Sequence, residues 1–274
     1  MISVSKKNIE KFKKEGIYKS KKLNIRSFKV YGDGALGSRG AVLKSPYCDD
    51  PHNYGILRTS AEDLKFYAKE IAEMGFQMNT HAIGDSTVSV LLNEYKKILK
   101  DIDDPRWRIE HSQVVDINEF ELYNEKILPS IQPTHATSDM YWAYDRLGSR
   151  IKGAYAFKDL LNSSSRVALG TDFPVEKVNP FHTFYSSVER KDLNGYPENG
   201  FQMENSLTRE ETLKGMTIWG AYFNFEEHEK GSLEVGKSAD FIVLNQNIME
   251  VEADLIPKTE VIQTYIDGEL VYSK

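Results

Sequence analysis

Four strand-like runs in this chain end on, or close to, a residue that can bind a metal. They come in a fixed order. Lys29 lies within Ser27–Gly34, His81 follows Met78-Asn79-Thr80, His111 follows Arg108-Ile109-Glu110, and Asp172 follows Ala168-Leu169-Gly170-Thr171. Imidazole and carboxylate ligands suit zinc, and they serve other transition metals too. A divalent ion held this way lowers the pKa of bound water towards roughly 7 and acts as a Lewis acid on a carbonyl oxygen. The set reads as most of a two-metal hydrolase site. One piece that should come first, a His-x-His pair, is absent, since no two of the six histidines stand two residues apart.

These residues need a scaffold, and the flanking patterns describe one. Candidate strands are Ile25–Tyr31, Phe76–His81, Trp107–His111, Ile127–Gln132 and Arg166–Thr171. Helical patterns lie between them. In Ser60–Met74 the residues Leu64, Tyr67, Ala68, Ile71 and Ala72 form one apolar stripe, Ser60 and Asp63 make a capping-box start, and Gly75 is a stop. Ser86–Lys100, Ile117–Asn124 and Tyr155–Leu161 repeat the pattern. Strand–helix alternation with short loops predicts a parallel sheet with helices outside. In a parallel barrel the chemistry sits at the C-terminal strand ends, so Lys29, His81, His111 and Asp172 are expected around one mouth. Strand alternation turns Glu110 away from His111 and suggests a salt-bridge residue. After Asp172 a long helix is expected over Leu207–Phe223, with Thr208 and Glu211 as its capping box. Gly231–Leu244 then runs into a strand, and Val261–Ile266 and Glu269–Tyr272 form a hairpin about Asp267-Gly268, a type I′ signal.

Composition narrows the class. With 274 residues, 40% hydrophobic and 28% charged, the chain has the make-up of a soluble globular protein of one large domain, or one with a small appendage. A net charge of -6 argues against a nucleic-acid partner. No run approaches the roughly 18 apolar residues that span a membrane. The lysines of Met1–Lys22 precede no apolar stretch, so a signal peptide is not expected. The single cysteine, Cys48, excludes an internal disulfide and fits a reducing, cytoplasmic setting. Its neighbours Asp49 and Asp50 would raise a thiol pKa, so it is a poor nucleophile.

Five segments in this order resemble the metal-dependent amidohydrolase superfamily, and within it the amidohydrolase family 3 group. They are Lys29–Ala41 (KVYGDGALGSRGA), Thr80–Asp85 (THAIGD), Arg108–Gln113 (RIEHSQ), Ser130–His135 (SIQPTH) and Gly170–Val175 (GTDFPV), and the tail Gly231–Leu244 also fits. The resemblance implies an α/β fold, a TIM-like (β/α)8 barrel with a small β-sandwich. Strands four to eight of the barrel would be present here and the first three lacking. The expected division is a Lys-rich lead segment over 1–24, most simply a solvated helix face, a partial barrel catalytic domain over 25–225, and sandwich strands over 226–274. The chain then looks like the C-terminal half of a longer enzyme. The same pattern implies one or two divalent metals, zinc best of all. His81 and His111 would hold one ion, Asp172 the other, and Lys29 would bridge them as a carbamate. Asp172 would also accept the proton of the attacking water. Substrate contacts are expected at Asp33, Arg39 and His135, the last placed on the seventh strand.

Blander readings stand beside these. A strand-end histidine is often a hydrogen-bonded core or loop residue, Asp172 could be a helix N-cap, and Lys29 an interior salt-bridge lysine. Asp33 and Arg39 could equally fix their own loop. Tyr141, Trp142, Tyr144 and Tyr155 could line a pocket or fill a core, and 189–204 reads as an exposed lid. For function, the leading expectation is a hydrolase of amide-type C–N bonds acting on a small molecule. The alternatives are an inactive or regulatory remnant, or one chain of a split enzyme whose partner supplies the missing strands. Homo-oligomerisation is the other expected partnership.

Overall fold

The computed structural model describes residues 1–274. In chain order, the lead segment opens with a strand, β1 (Ile2–Ser3), and a helix, α1 (Lys6–Glu15), followed by a short ladder, β2 (Tyr18–Lys19) and β3 (Asn24–Ile25). Then come β4 (Ser27–Tyr31), α2 (Ala61–Glu73), β5 (Gln77–Ala82), α3 (Asp85–Ile98), β6 (Trp107–His111) and β7 (Ile127–Ile131). They are followed by α4 (Pro133–Asp139), α5 (Ala143–Leu147), α6 (Phe157–Ser164), β8 (Ala168–Leu169) and α7 (Pro180–Glu189). The chain finishes with α8 (Arg209–Met216), α9 (Ile218–Phe223), β9 (Phe241–Leu244), β10 (Val261–Ile266) and β11 (Glu269–Ser273).

Six strands make one sheet in the order β1-β4-β5-β6-β7-β8, and the last three strands make an antiparallel sheet in the order β11-β10-β9. The parallel sheet ends at β1 and β8. It carries one strand more than the five counted from the sequence. The extra strand is β1, whose Ile2 and Ser3 pair in parallel with Phe28 and Lys29. The chain divides into two compact units, 1–130 with 141–165, and 131–140 with 166–274.

In the first unit the lead segment is part of the fold. The Ser5 hydroxyl caps α1 by accepting from Asn8 N–H at 3.1 Å. Ile9 is 3% exposed, and Phe12 meets Phe28 and Phe76 edge-on at 6.0 and 6.2 Å. The lysines of α1 occupy the opposite, solvated face, as its charge pattern requires. At the α2 start Ser60 caps the helix by accepting from Asp63 N–H at 3.1 Å, but its hydroxyl, not its backbone N–H, donates to the Asp63 carboxylate at 2.9 Å, so the expected capping box is only half formed. The helix expected over Ile117–Asn124 shrinks to one 3-10 turn, Phe120–Leu122. The Asp116 carboxylate caps Asn118, while Tyr123 leaves helical geometry to bury its ring and donate to the Ser112 hydroxyl at 2.8 Å.

In the second unit the long helix expected over Leu207–Phe223 breaks at Thr217, where φ is -129° and ψ is -96°. The Thr217 hydroxyl donates to the Leu213 carbonyl at 2.6 Å, competing for the acceptor its own N–H would use in an unbroken helix, and that N–H turns to Lys214 at 3.2 Å. The capping box of Thr208 and Glu211 forms as read. The tail hairpin also forms, with Asp267 and Gly268 both at positive φ. No helix of the chain is long and apolar enough to cross a membrane.

Candidate metal centre

Pairing register decides which side chains share a face of the first unit's sheet. Lys29 pairs with Asn79 and Asn79 with Arg108; Tyr31 pairs with His81, His81 with Glu110 and Glu110 with Ser130. Directly paired residues of parallel strands point the same way. One face therefore presents Lys29, Tyr31, Asn79, His81, Arg108, Glu110 and Ser130. The Lys29 amine lies 5.4 Å from the Tyr31 ring centre.

Alternation sets Glu110 opposite to its neighbour His111 along the strand and in register with His81. Its carboxylate is paired with Arg108 at 2.9 Å and faces Lys29. Burial pushes its pKa up. The charges of Arg108 and Lys29, a hydrogen bond from Ser130 and the nearby His111 outweigh burial and bring it down to about 2. Glu110 is thus a fixed negative charge beside Lys29, and its salt-bridge role is as expected.

His111 pairs in register with no member of that face, since its partner is Ala82. Its backbone corrects this. At φ 77° His111 is left-handed, as is Ser112 at 44°, and the turn swings the ring towards His81. The two rings stand edge to face with centroids 4.5 Å apart. A left-handed non-glycine residue costs roughly 1–2 kcal/mol, and such strain persists only where surroundings hold it. Here Val114 N–H donates to Ile83 O at 2.9 Å, and Tyr123 holds Ser112.

Asp33 and Arg39, expected to touch substrate, take the loop-fixing alternative. The Asp33 side chain has no exposed area. Its oxygens accept from the amides of Val42, Ile83 and Gly84 at 2.9, 3.0 and 2.9 Å. Burial raises its pKa and these amides lower it, with a net rise. A carboxylate so enclosed cannot reach a substrate. Gly84 belongs to the same lock, because a Cβ there would collide with the Val42 carbonyl. Arg39 grips Asp49 through Nε and Nη2 at 3.1 and 2.8 Å, and Arg146 holds the same carboxylate. Of the four aromatics, Tyr155 is a core residue, Trp142 packs on Gly37, and Tyr141 and Tyr144 are 58% and 66% exposed, so they line no common pocket.

In the second unit His135 is not on a strand. It lies in the first turn of α4, which Pro133 opens. Its Nε2 is 3.5 Å from Asp172 Oδ2. Burial lowers the His135 pKa against the pull of Glu176, which favours a neutral ring. Asp172 has φ 57°, and its carbonyl accepts from Val175 N–H at 2.8 Å.

A sequence model of the amidohydrolase family matches residues 1–272. The chain belongs to the amidohydrolase family. Among its relatives is the protein LONG AFTER FAR-RED 3 of Arabidopsis thaliana, 31% identical over 263 residues, covering 94% of this chain and 45% of that one. The N-substituted formamide deformylase of Arthrobacter pascens is 21% identical over 257 residues, covering 86% and 46%. A metal-dependent hydrolase from Pyrococcus horikoshii OT3 superposes with a TM-score of 0.78 at 27% identity, covering 90% of this chain and 50% of that one. The chain spans about half the length of the curated relatives it matches.

The donor set of this amidohydrolase chain fits a divalent ion. Two imidazoles with centroids 4.5 Å apart can each place a nitrogen at the roughly 2.0–2.1 Å that zinc requires. The lysine beside them, Lys29, ligates only if neutral or carboxylated, because an ammonium has no lone pair.

Proposed function

We propose that this amidohydrolase chain is the metal-holding and proton-transferring half of an enzyme that hydrolyses the non-peptide C–N bond of a small amide, N-substituted formamides among the candidates. The observation that carries the reading is the convergence of His81 and His111 across neighbouring strands, at the cost of a left-handed backbone. The deformylase and metal-dependent hydrolase named above support the substrate class and the metal.

A bound divalent ion, zinc by preference, would acidify a water and polarise the carbonyl. His81 and His111 would hold the ion, and Lys29 would join them as a carbamate. Glu110 and Arg108 fix the electrostatics behind Lys29 without touching substrate. The family pattern would give Asp172 the transfer of a proton from the attacking water to the departing amine nitrogen. His135, beside Asp172 and kept neutral by burial, offers a hydrogen bond to substrate. The His-x-His pair and the strands that would close a barrel come from polypeptide outside these 274 residues, either the same chain or a partner.

Calorimetric titration of the purified chain with zinc tests this. Wild type should bind, and His81→Ala and His111→Ala should each lose at least tenfold in affinity, because either leaves an incomplete ligand set. Amine release from a panel of N-substituted formamides should require zinc and the missing half. Undiminished zinc binding in the double histidine variant would refute the site. Failure of the completed protein to release amine would favour the inactive-remnant reading.

A further inference from the structure

The Asp33 carboxylate is pinned from three directions and one of its oxygens faces a ring. Oδ2 accepts from Val42 and Gly84, and Oδ1 accepts from Ile83. Oδ1 also lies 3.7 Å from Nε2 of His81. Val42 belongs to the loop that follows β4, while Ile83 and Gly84 follow directly on β5, the strand of His81. The carboxylate therefore cannot turn without breaking hydrogen bonds from the amides of two loops. Gly84 admits no side chain against Val42, and a Cβ at Gly32 would meet Thr87 and the His81 carbonyl.

We propose that Asp33 is a positioning residue for His81, holding the ring as the tautomer protonated at Nε2 so that Nδ1 faces a metal with its lone pair. The inference rests on the reading of His81 as a ligand. An ionised carboxylate only accepts, so the nitrogen turned towards it carries the proton. Metal-binding histidines are commonly oriented by such a carboxylate on the other nitrogen, and loss of that partner costs 10–100-fold in metal affinity. At 3.7 Å the contact is longer than a hydrogen bond, and the carboxylate acts on the ring as a fixed neighbouring charge. This gives a use to a buried aspartate that touches no substrate.

The decisive experiment needs no metal. Long-range 15N–1H NMR of the labelled wild-type chain, above pH 7.5, reads the His81 tautomer directly, with the signal assigned by His81→Gln. The proposal expects the Nε2–H form, and a predominant Nδ1–H form overturns it. Asp33→Asn should then mix the tautomers and weaken zinc binding 10–100-fold. A folded Asp33→Asn chain with wild-type zinc affinity also overturns the proposal. If that variant does not fold, the wild-type spectrum still decides. A wild-type chain that shows the Nε2–H form but binds no zinc refutes the metal reading and leaves the hold of Asp33 on the ring standing.

Discussion

Glu110 is the most strongly perturbed carboxylate on the sheet face of the first unit, its pKa brought down to about 2. It is a buried ion-pair carboxylate, and it sits on the same face as Lys29 and His81. Its lowered pKa has a consequence for stability. The folded value of about 2 lies below the ordinary 4.5. Its contribution is therefore fully present above about pH 4.5, declines as pH falls towards 2, and is gone below. By linkage this is on the order of 3 kcal/mol. Denaturant melts of wild type and Glu110→Gln should differ by that order at pH 6 and converge near pH 2. A difference independent of pH would mean that the charge is not what stabilises. Arg108→Met, which strands the carboxylate, should cost about 3–5 kcal/mol, and adding Glu110→Leu should recover much of it.

At the scale of elements, the lead segment matters most. Its lysines promise a solvated helix, and α1 is one on its outer face. Yet Ile9 is buried and Phe12 meets Phe28 and Phe76. Ile9→Ala should cost about 2–4 kcal/mol, as large-to-small core substitutions do. Lys11→Ala on the exposed side should stay within about 0.5 kcal/mol. Equal effects, read as melting-temperature shifts, would show that α1 does not pack on β4. A second element-scale test concerns the lock at Gly84. Gly84→Ala forces its Cβ into the Val42 carbonyl and should cost more than the roughly 1 kcal/mol typical of a point change. Its cost should appear together with a fall in amide protection at Val42 and Gly84, measured by hydrogen exchange.

At the scale of the whole molecule, the antiparallel tail leaves much apolar surface in water. Ile242, Val243, Ile266, Leu270, Val271 and Tyr272 are between 39% and 55% exposed. Apolar strands left open in this way pair with other chains. The purified chain should therefore sediment heavier than its 31.3 kDa at micromolar concentration. Paired Ile242→Lys and Val271→Lys substitutions should shift it towards monomer. A monodisperse wild-type monomer with one sharp melt would show that this surface is tolerated in solution.

What could be read from sequence alone was whatever a few neighbouring residues encode. Trp107–His111 was bounded to the residue, the caps at Ser60 and Thr208 were found, and so was the Asp267-Gly268 turn, because capping, period-two patterning and turn preference act within about four positions. The order of His81 and His111 at successive strand ends was legible for the same reason. The tertiary structure alone decided the rest. Strand alternation places His111 on the wrong face, and only the left-handed turn supported by Tyr123 and Ile83 brings it to His81. From sequence Asp33 reads equally as a substrate contact or a loop-fixing residue, and only the amides of Val42, Ile83 and Gly84 that enclose it decide for the loop. Ile2 and Ser3 became a strand because β4 offered an edge to pair with. Each depends on partners distant in sequence, and no local pattern reports the φ of one residue or the burial of one carboxylate.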